Sequence, residues 1–279
     1  MQKKEKYKHK FITCAAILGS AFILLSKLAE KKKEPESIDN KNPYLSKPLD
    51  GGNRKAVHGK SKGFYVKYGK RMMDKGISFL GLVTLAPLYG LISLAVYLDD
   101  PGPVIFTQKR VGKGKHFIEV HKFRSMKMST PHDVPTHLLK NPEEYITKVG
   151  RFLRKSSLDE LPQVWDIFRG KMSIIGPRPA LWNQEDLVAE REKYGANDIM
   201  PGLTGWAQIN GRDELEIPVK AKLDGDYAKV LSSGGIKAFL QDVRCFLGTV
   251  KSVLKNDGVV EGGTGALRGR EKSSGGIMK

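Results

Sequence analysis

Apolar and polar positions divide the chain into long blocks. The first apolar run, FITCAAILGSAFILLS, covers residues 11–26 between Lys10 and Lys27. As a helix it spans roughly 24 Å at about 1.5 Å per residue, short of a hydrocarbon core of roughly 30 Å. It reads as a tilted anchor or as the core of a signal peptide, and the lysines before it suit both. No small-x-small cleavage pattern follows, and the lysines at 31–33 do, which favours an uncleaved anchor. Residues 34–63 are polar and aperiodic, the pattern of a linker. The second run, GISFLGLVTLAPLYGLISLAVYL at 76–98, carries no charge and is long enough to span. Pro87 lies in its middle. It has no N–H, and its ring collides with the carbonyl four residues back, that of Val83. Two shapes follow: a kinked spanning helix, the commoner outcome, or a helix–break–helix hairpin that enters and leaves by one face. Basic stretches on both sides, GKRMMDK and QKRVGKGK, leave the positive-inside rule without a vote.

After Asp99-Asp100 the pattern shortens. Alternation around Val104–Thr107 and Phe117–Val120 predicts a β-hairpin turning at VGKGK. Helical periodicity predicts helices near 142–155, 158–169, 181–193 and 236–255. The tail from Gly262 is rich in Gly, Ser and Lys, a composition that predicts disorder.

Composition narrows the partners. The 279 residues hold 48 Lys+Arg against 30 Asp+Glu, a net charge of +18. That points to an anionic partner: nucleic acid, acidic lipid or a phosphorylated small molecule. Residues 101–130 alone carry seven Lys/Arg and one acid, Glu119. Cys14 and Cys245, far apart, fit neither a disulfide framework nor a zinc site.

Against this basic background, RKSSLDELPQ at 154–163 sets Asp159 and Glu160 side by side just after Arg154 and Lys155. One reading is a capping box, Ser157 to Glu160, opening a helix. The other is a phosphate-processing pair: one carboxylate binds a divalent cation or attacks phosphorus, the other supports it, and cations cancel the substrate's repulsion. IIGPRP at 174–179 brackets Arg178 with two prolines, which suits either a plain turn or a rigidly presented guanidinium. PGLTGWAQINGR at 201–212 suits a hairpin with an Asn-Gly turn at 210–211, or a loop whose amides, Gln208 among them, and Arg212 meet a nucleotide or phosphate.

Taken together, KRMMDK, the apolar run with its central proline, PGPVIFTQKRVG, HKFRSM, the Asp159-Glu160 pair, GPRP and MPGLTGWAQINGR resemble the bacterial sugar transferases. These are monotopic phosphoglycosyl transferases acting on polyprenol phosphate, and the resemblance runs from Lys70 to about Gly265. It implies an α+β fold: a membrane-associated re-entrant helix hairpin, broken at Pro87, packed on a small, mainly helical cytosolic catalytic domain with a short β-hairpin. The parts are then an anchor segment at 1–33, a linker at 34–63, the hairpin at 64–100, the catalytic domain at 101–265 and a disordered tail at 266–279. The implied reaction moves a sugar-1-phosphate from a UDP-sugar to undecaprenyl phosphate and releases UMP. This step primes exopolysaccharide, capsule or glycoconjugate synthesis. Asp159 matches the nucleophile of a ping-pong mechanism and Glu160 its partner. Mg²⁺ is expected at Asp159, with Arg154 and Arg178 near phosphate. Implied partners are membrane lipid and downstream glycosyltransferases, not nucleic acid, and the implied place is the cytoplasmic face of the cell membrane. The chain departs from the family in three ways. Its run at 11–26 lies outside the short form of the family, and longer members carry four helices there, not one. Its break reads Ala86-Pro87 where the family often has Ser-Pro, removing a hydroxyl. Residues 222–242 run longer than usual and leave Tyr227 and Asp242 without an assigned role. Two alternatives stand beside this reading: a non-enzymatic basic membrane adaptor, and a hydrolase that passes its phosphoenzyme to water.

Overall fold

The computed structural model describes residues 63–131, 141–211 and 215–255. The apolar run at 11–26, most of the linker, Arg212 and the tail lie outside them.

The second apolar run is helical on both sides of a break. A π-turn, Tyr65–Gly69, leads into α1 (Lys70–Thr84), and α2 (Ala86–Asp99) follows after the single residue Leu85. Pro87 falls in the first turn of α2, where its missing N–H leaves no intrahelical bond unmade. The collision with Val83 is relieved because the chain turns at Leu85, φ −90° and ψ 0°. The arms are bent by 62°, and among the described residues no single helix is long and apolar enough to cross a membrane. A hydroxyl is present at the break after all: Thr84 donates to the Leu80 carbonyl at 2.9 Å.

The polarity of α1 is inverted. Lys70, Asp74 and Ser78, four residues apart and so on one face, are buried, Lys70 at 7% exposure and Asp74 at 3%. Met72 (71%), Leu80 (61%) and Val83 point outward, as do Leu91, Leu94 and Leu98 of α2. The buried groups are all partnered. Asp74 accepts from the Ser173 hydroxyl at 2.7 Å and the Ile174 amide at 3.0 Å. Lys70 donates to Asp242 at 2.7 Å.

Beyond α2 come β1 (Ile105–Val111) and β2 (Phe117–Phe123), an antiparallel pair with Ile105 opposite Phe123 and Val111 opposite Phe117. The VGKGK turn is confirmed, with Gly114 and Lys115 at positive φ. The predicted helix at 142–155 is two, α3 (Pro142–Tyr145) and α4 (Lys148–Ser156), and Thr147 caps the second by accepting from the Gly150 amide at 2.9 Å. The predicted helix at 158–169 is a 3₁₀ turn, Leu158–Glu160, followed by α5 (Gln163–Phe168). Then come β3 (Ser173–Ile175), α6 (Glu185–Glu192), a 3₁₀ turn at Ala196–Asp198, β4 (Gly202–Thr204) and α7 (Trp206–Ile209). Last are α8 (Ile217–Ser233) and α9 (Gly235–Lys255).

β3 and β4 run parallel, Ser173 beside Gly202 and Ile175 beside Thr204. The Asn-Gly hairpin expected at 210–211 is therefore not formed; the segment is a strand and a short helix. Glycine permits this pairing. A Cβ on Gly202 would lie 2.1 Å from the Gly176 nitrogen, and one on Gly176 would lie 2.4 Å from the Met200 carbonyl oxygen. Tyr89, Ile92 and Val96 of α2 pack with Phe123 and Leu153 in one core cluster, so one face of α2 is part of the fold's interior.

Two buried polar clusters hold the C-terminal helices. Asp242 on α9 accepts from Tyr65 (2.6 Å), Lys70 (2.7 Å) and Tyr227 (2.7 Å), which gives Tyr227 and Asp242 a structural role. Burial pushes the thiol of nearby Cys245 up to about 12, making it unreactive. Arg191 on α6 reaches Asp224 on α8 through Nε at 2.8 Å and Nη2 at 2.6 Å. Burial outweighs that guanidinium and holds the Asp224 carboxyl above its usual range. Arg191→Met strands a buried carboxylate and is expected to cost about 3–5 kcal/mol, read as a lowered Tm in detergent. Adding Asp224→Leu should recover most of the loss; a single variant as stable as wild type would show the pair to be idle.

Candidate active site

Asp159 and Glu160 stand on the 3₁₀ turn that links α4 to α5, and both are buried. Ser157 enters the turn in the left-handed region, φ 56° and ψ 17°, and its side chain caps nothing. The capping box is thereby overturned. Glu160 does not reach back to the helix start but faces two cations. Arg178 grips it with both guanidinium ends, Nη2 on Oε1 and Nη1 on Oε2 at 3.2 Å. Lys122 Nζ donates to Oε1 at 2.8 Å and lies 3.8 Å from Asp159 Oδ2. Among the described residues Asp159 accepts no hydrogen bond.

The cations are themselves held. Arg178 follows β3, and its neighbours are clamped on both sides. The Pro177 carbonyl accepts from the Gly202 amide at 2.8 Å, and the Pro179 carbonyl accepts from Arg110 at 2.9 Å. IIGPRP and PGLTGW are thus halves of one device, the second fixing the backbone from which the first projects its arginine. Lys122 sits between two fixed neighbours on β2. His121 is bound to the fully buried Asp166 through its amide (2.9 Å) and ring Nδ1 (2.7 Å), and Phe123 packs on Tyr89. Arg154, in the last turn of α4, contributes its charge to the environment of Asp159.

This arrangement drives the two carboxyls apart. Burial is the largest influence on Asp159 and raises its pKa; the charge of Glu160 adds to that, and Lys122, Arg154 and Arg178 oppose it without prevailing. Burial also works to raise Glu160, but there Arg178 and then Lys122 win, and the carboxyl is held well below its usual range. The two adjacent carboxyls thus sit in opposed environments: burial pushes Asp159 up, while Glu160 is bound by two cations that hold it down.

The geometry brings together Asp159, Glu160, Arg154 and Arg178. Gln208 is placed differently: buried, its Nε2 donates to the Leu203 carbonyl at 2.9 Å and so braces β4. Arg212 lies outside the described residues. Lys122 joins the site although the sequence marks it only within HKFRSM. It lies two residues past the alternation at Phe117–Val120 and looks like any solvated cation until the acids are placed beside it. Among the described residues no three His, Cys, Asp or Glu side chains cluster to hold a metal unaided.

The model of the family described as bacterial sugar transferase matches residues 65–256. The chain belongs to this family. The UDP-glucose:undecaprenyl-phosphate glucose-1-phosphate transferase of Escherichia coli K12 is 38% identical over 207 residues, 71% of this chain and 40% of that protein. The exopolysaccharide production protein PSS of Rhizobium leguminosarum bv. phaseoli is 37% identical over 195 residues, 66% of this chain and 94% of that protein. The undecaprenyl-phosphate galactose phosphotransferase of Salmonella typhimurium is 31% identical over 206 residues, 69% of this chain and 42% of that protein. The chain thus spans well under half the length of the glucose and galactose transferases it matches.

Proposed function

We propose that this member of the bacterial sugar transferases moves a sugar-1-phosphate from a UDP-sugar to undecaprenyl phosphate. The observation that carries the reading is the opposed pair: a buried Asp159 that accepts no hydrogen bond among the described residues, beside a Glu160 fixed by Arg178 and Lys122. A carboxylate attacking a diphosphate needs two things, freedom to reach phosphorus and cations that cancel its repulsion from the substrate.

In the first step a carboxylate oxygen of Asp159 forms a bond to the phosphorus bearing the sugar. The bond from that phosphorus to the bridging oxygen breaks, and UMP leaves with the electron pair. In the second, an oxygen of undecaprenyl phosphate attacks the same phosphorus and the Asp159 carboxylate is regenerated. Arg178 and Lys122 are the groups a diphosphate would engage. As it draws them off, Glu160 loses the cations that keep it acidic and becomes able to take a proton from the lipid acceptor. Magnesium fits as a shared ion: one free carboxylate is a normal protein contribution when substrate phosphates and water complete the shell. Asp159 would hold it, and it would add charge neutralisation at the diphosphate.

The bent helix pair is read as a re-entrant segment in the inner leaflet. What supports this is its inverted face, with lysine and aspartate turned to the protein and leucine and methionine turned out, the pattern expected beside hydrocarbon. A site meeting both a UDP-sugar and a lipid phosphate belongs at the cytoplasmic surface of the membrane, where such a product would feed exopolysaccharide or other glycan assembly.

The test is UMP release from a panel of UDP-sugars in vesicles containing undecaprenyl phosphate and Mg²⁺. Lipid-dependent release with one sugar, and a lipid-linked radiolabelled product, is the expected result and names the sugar. UMP without lipid product would make the protein a hydrolase. No UMP from any sugar would leave the membrane adaptor.

A further inference from the structure

Tyr89 lies in the first half of α2, within the apolar run, and is 1% exposed. It is polar where an apolar residue would fill the space. Its hydroxyl donates to the Leu161 carbonyl at 2.7 Å, and its ring packs on Phe123 with 5.8 Å between centroids. Leu161 is the residue after Glu160, and Phe123 the residue after Lys122. One side chain of the bent pair therefore touches the immediate neighbours of both members of the Lys122–Glu160 ion pair.

The turn it holds is weak by itself. It opens on the left-handed Ser157 and is closed by two 3₁₀ bonds, Glu160 N to Ser157 O and Leu161 N to Leu158 O, each 3.3 Å. Such bonds have poorer geometry than α-helical ones, and Pro162 has no N–H to add another. The Leu161 carbonyl also accepts from the Val164 amide at 3.0 Å, whereas the bond from Tyr89 comes from outside the turn. A second tie leaves the far end of α2: Asp99 Oδ2 accepts from the Val149 amide at 2.7 Å, at the start of the helix that runs into Ser157.

We propose that Tyr89 is a positioning residue, its hydroxyl fixing the turn that bears Asp159 and Glu160 to the bent helix pair, so that the seating of that pair in lipid sets the geometry of the two carboxyls. The kinetic half of its test rests on the phosphotransfer reading and the lipid seating on the re-entrant reading; the tie from Tyr89 to the turn rests on neither.

Tyr89→Phe keeps the ring and deletes one hydroxyl. Hydrogen–deuterium exchange of the full chain in lipid nanodiscs should be faster at residues 157–165 and unchanged elsewhere. Turnover should fall about tenfold, as misplaced reacting groups do, with KM for the UDP-sugar unmoved. Tyr227→Phe, which takes an equally buried hydroxyl from the Asp242 cluster, should leave exchange at 157–165 as it was. Exchange in Tyr89→Phe equal to wild type, or faster along the whole chain, overturns the proposal. Wild-type protein that releases no UMP from any UDP-sugar overturns the phosphotransfer reading instead, and exchange alone then decides the role of Tyr89.

Discussion

Asp159→Asn is expected to abolish sugar-phosphate transfer and to make the protein more stable. The first effect follows from chemistry. An amide cannot form the acyl phosphate, so turnover should fall by at least about 10³-fold. The second follows from burial. Asp159 is buried, accepts no hydrogen bond among the described residues, and is driven upward in pKa chiefly by desolvation. A carboxyl whose folded pKa lies above its unfolded value costs nothing when both states are protonated. The cost grows as pH rises from the unfolded pKa to the folded one and is complete above the latter. The asparagine variant escapes that cost, so its Tm should exceed wild type by about 2–4 °C near neutrality, and the two should converge only once pH falls below the range of an ordinary aspartate. The same shift sets the acid limb of kcat/KM in the wild type above the pH where an ordinary aspartate would place it. A variant that is inactive but no more stable at any pH would mean that Asp159 is better solvated or better paired than its surroundings indicate.

How much of this was legible in the sequence varies with the range of the interaction. The break at Pro87 is local chemistry, a missing N–H and a ring clash, and it fell within two residues of where the proline put it. The β-hairpin is likewise local and was read correctly, though its strands extend further than the alternation did. Failures came where the partner is distant. Ser157 and Glu160 have the spacing of a capping box, but Glu160 is claimed by Arg178 and Lys122, from elements 18 and 38 residues away, and no local pattern reports that competition. Helix α8 is hard to read from sequence because, beside Tyr227 and Leu231, its buried face carries Ala221, Asp224, Gly225 and Ala228. Small and charged residues give little apolar periodicity, and Gly225 is needed because a Cβ there would come 2.3 Å from that of Tyr194. The parallel pairing of β3 with β4 joins two motifs that look self-contained. Asp159 and Glu160 could be chosen because acids in a basic chain are conspicuous, and Arg178 because two prolines bracket it. Lys122 could not, because a cation there is not.

Arg178→Met is the complementary experiment, since it alters the field around the carboxyls without touching either. Among the described residues Glu160 then keeps Lys122 alone, and burial, until now outweighed, pulls its pKa up. Asp159 also loses a cation that had lowered its pKa and moves further in the direction burial already drives it. Both changes shift the acid limb of kcat/KM to higher pH. Loss of the fork that a diphosphate would engage should lower kcat/KM by about 10²–10³-fold at neutral pH. Stability follows Glu160. A carboxylate with a depressed folded pKa contributes stability above its unfolded pKa and loses it as pH falls through the folded value, so the variant should be less stable than wild type near neutrality and lose that difference in acid. Arg178→Lys separates charge from geometry: one ammonium keeps the field but cannot grip both oxygens of Glu160. It should leave the acid limb close to wild type and still turn over slowly. If Arg178→Met instead raised KM alone, with kcat and the acid limb unmoved, Arg178 would be a substrate contact with no hold on the two carboxyls. The bidentate grip on Glu160 would then play no part in setting the acidity of either carboxyl.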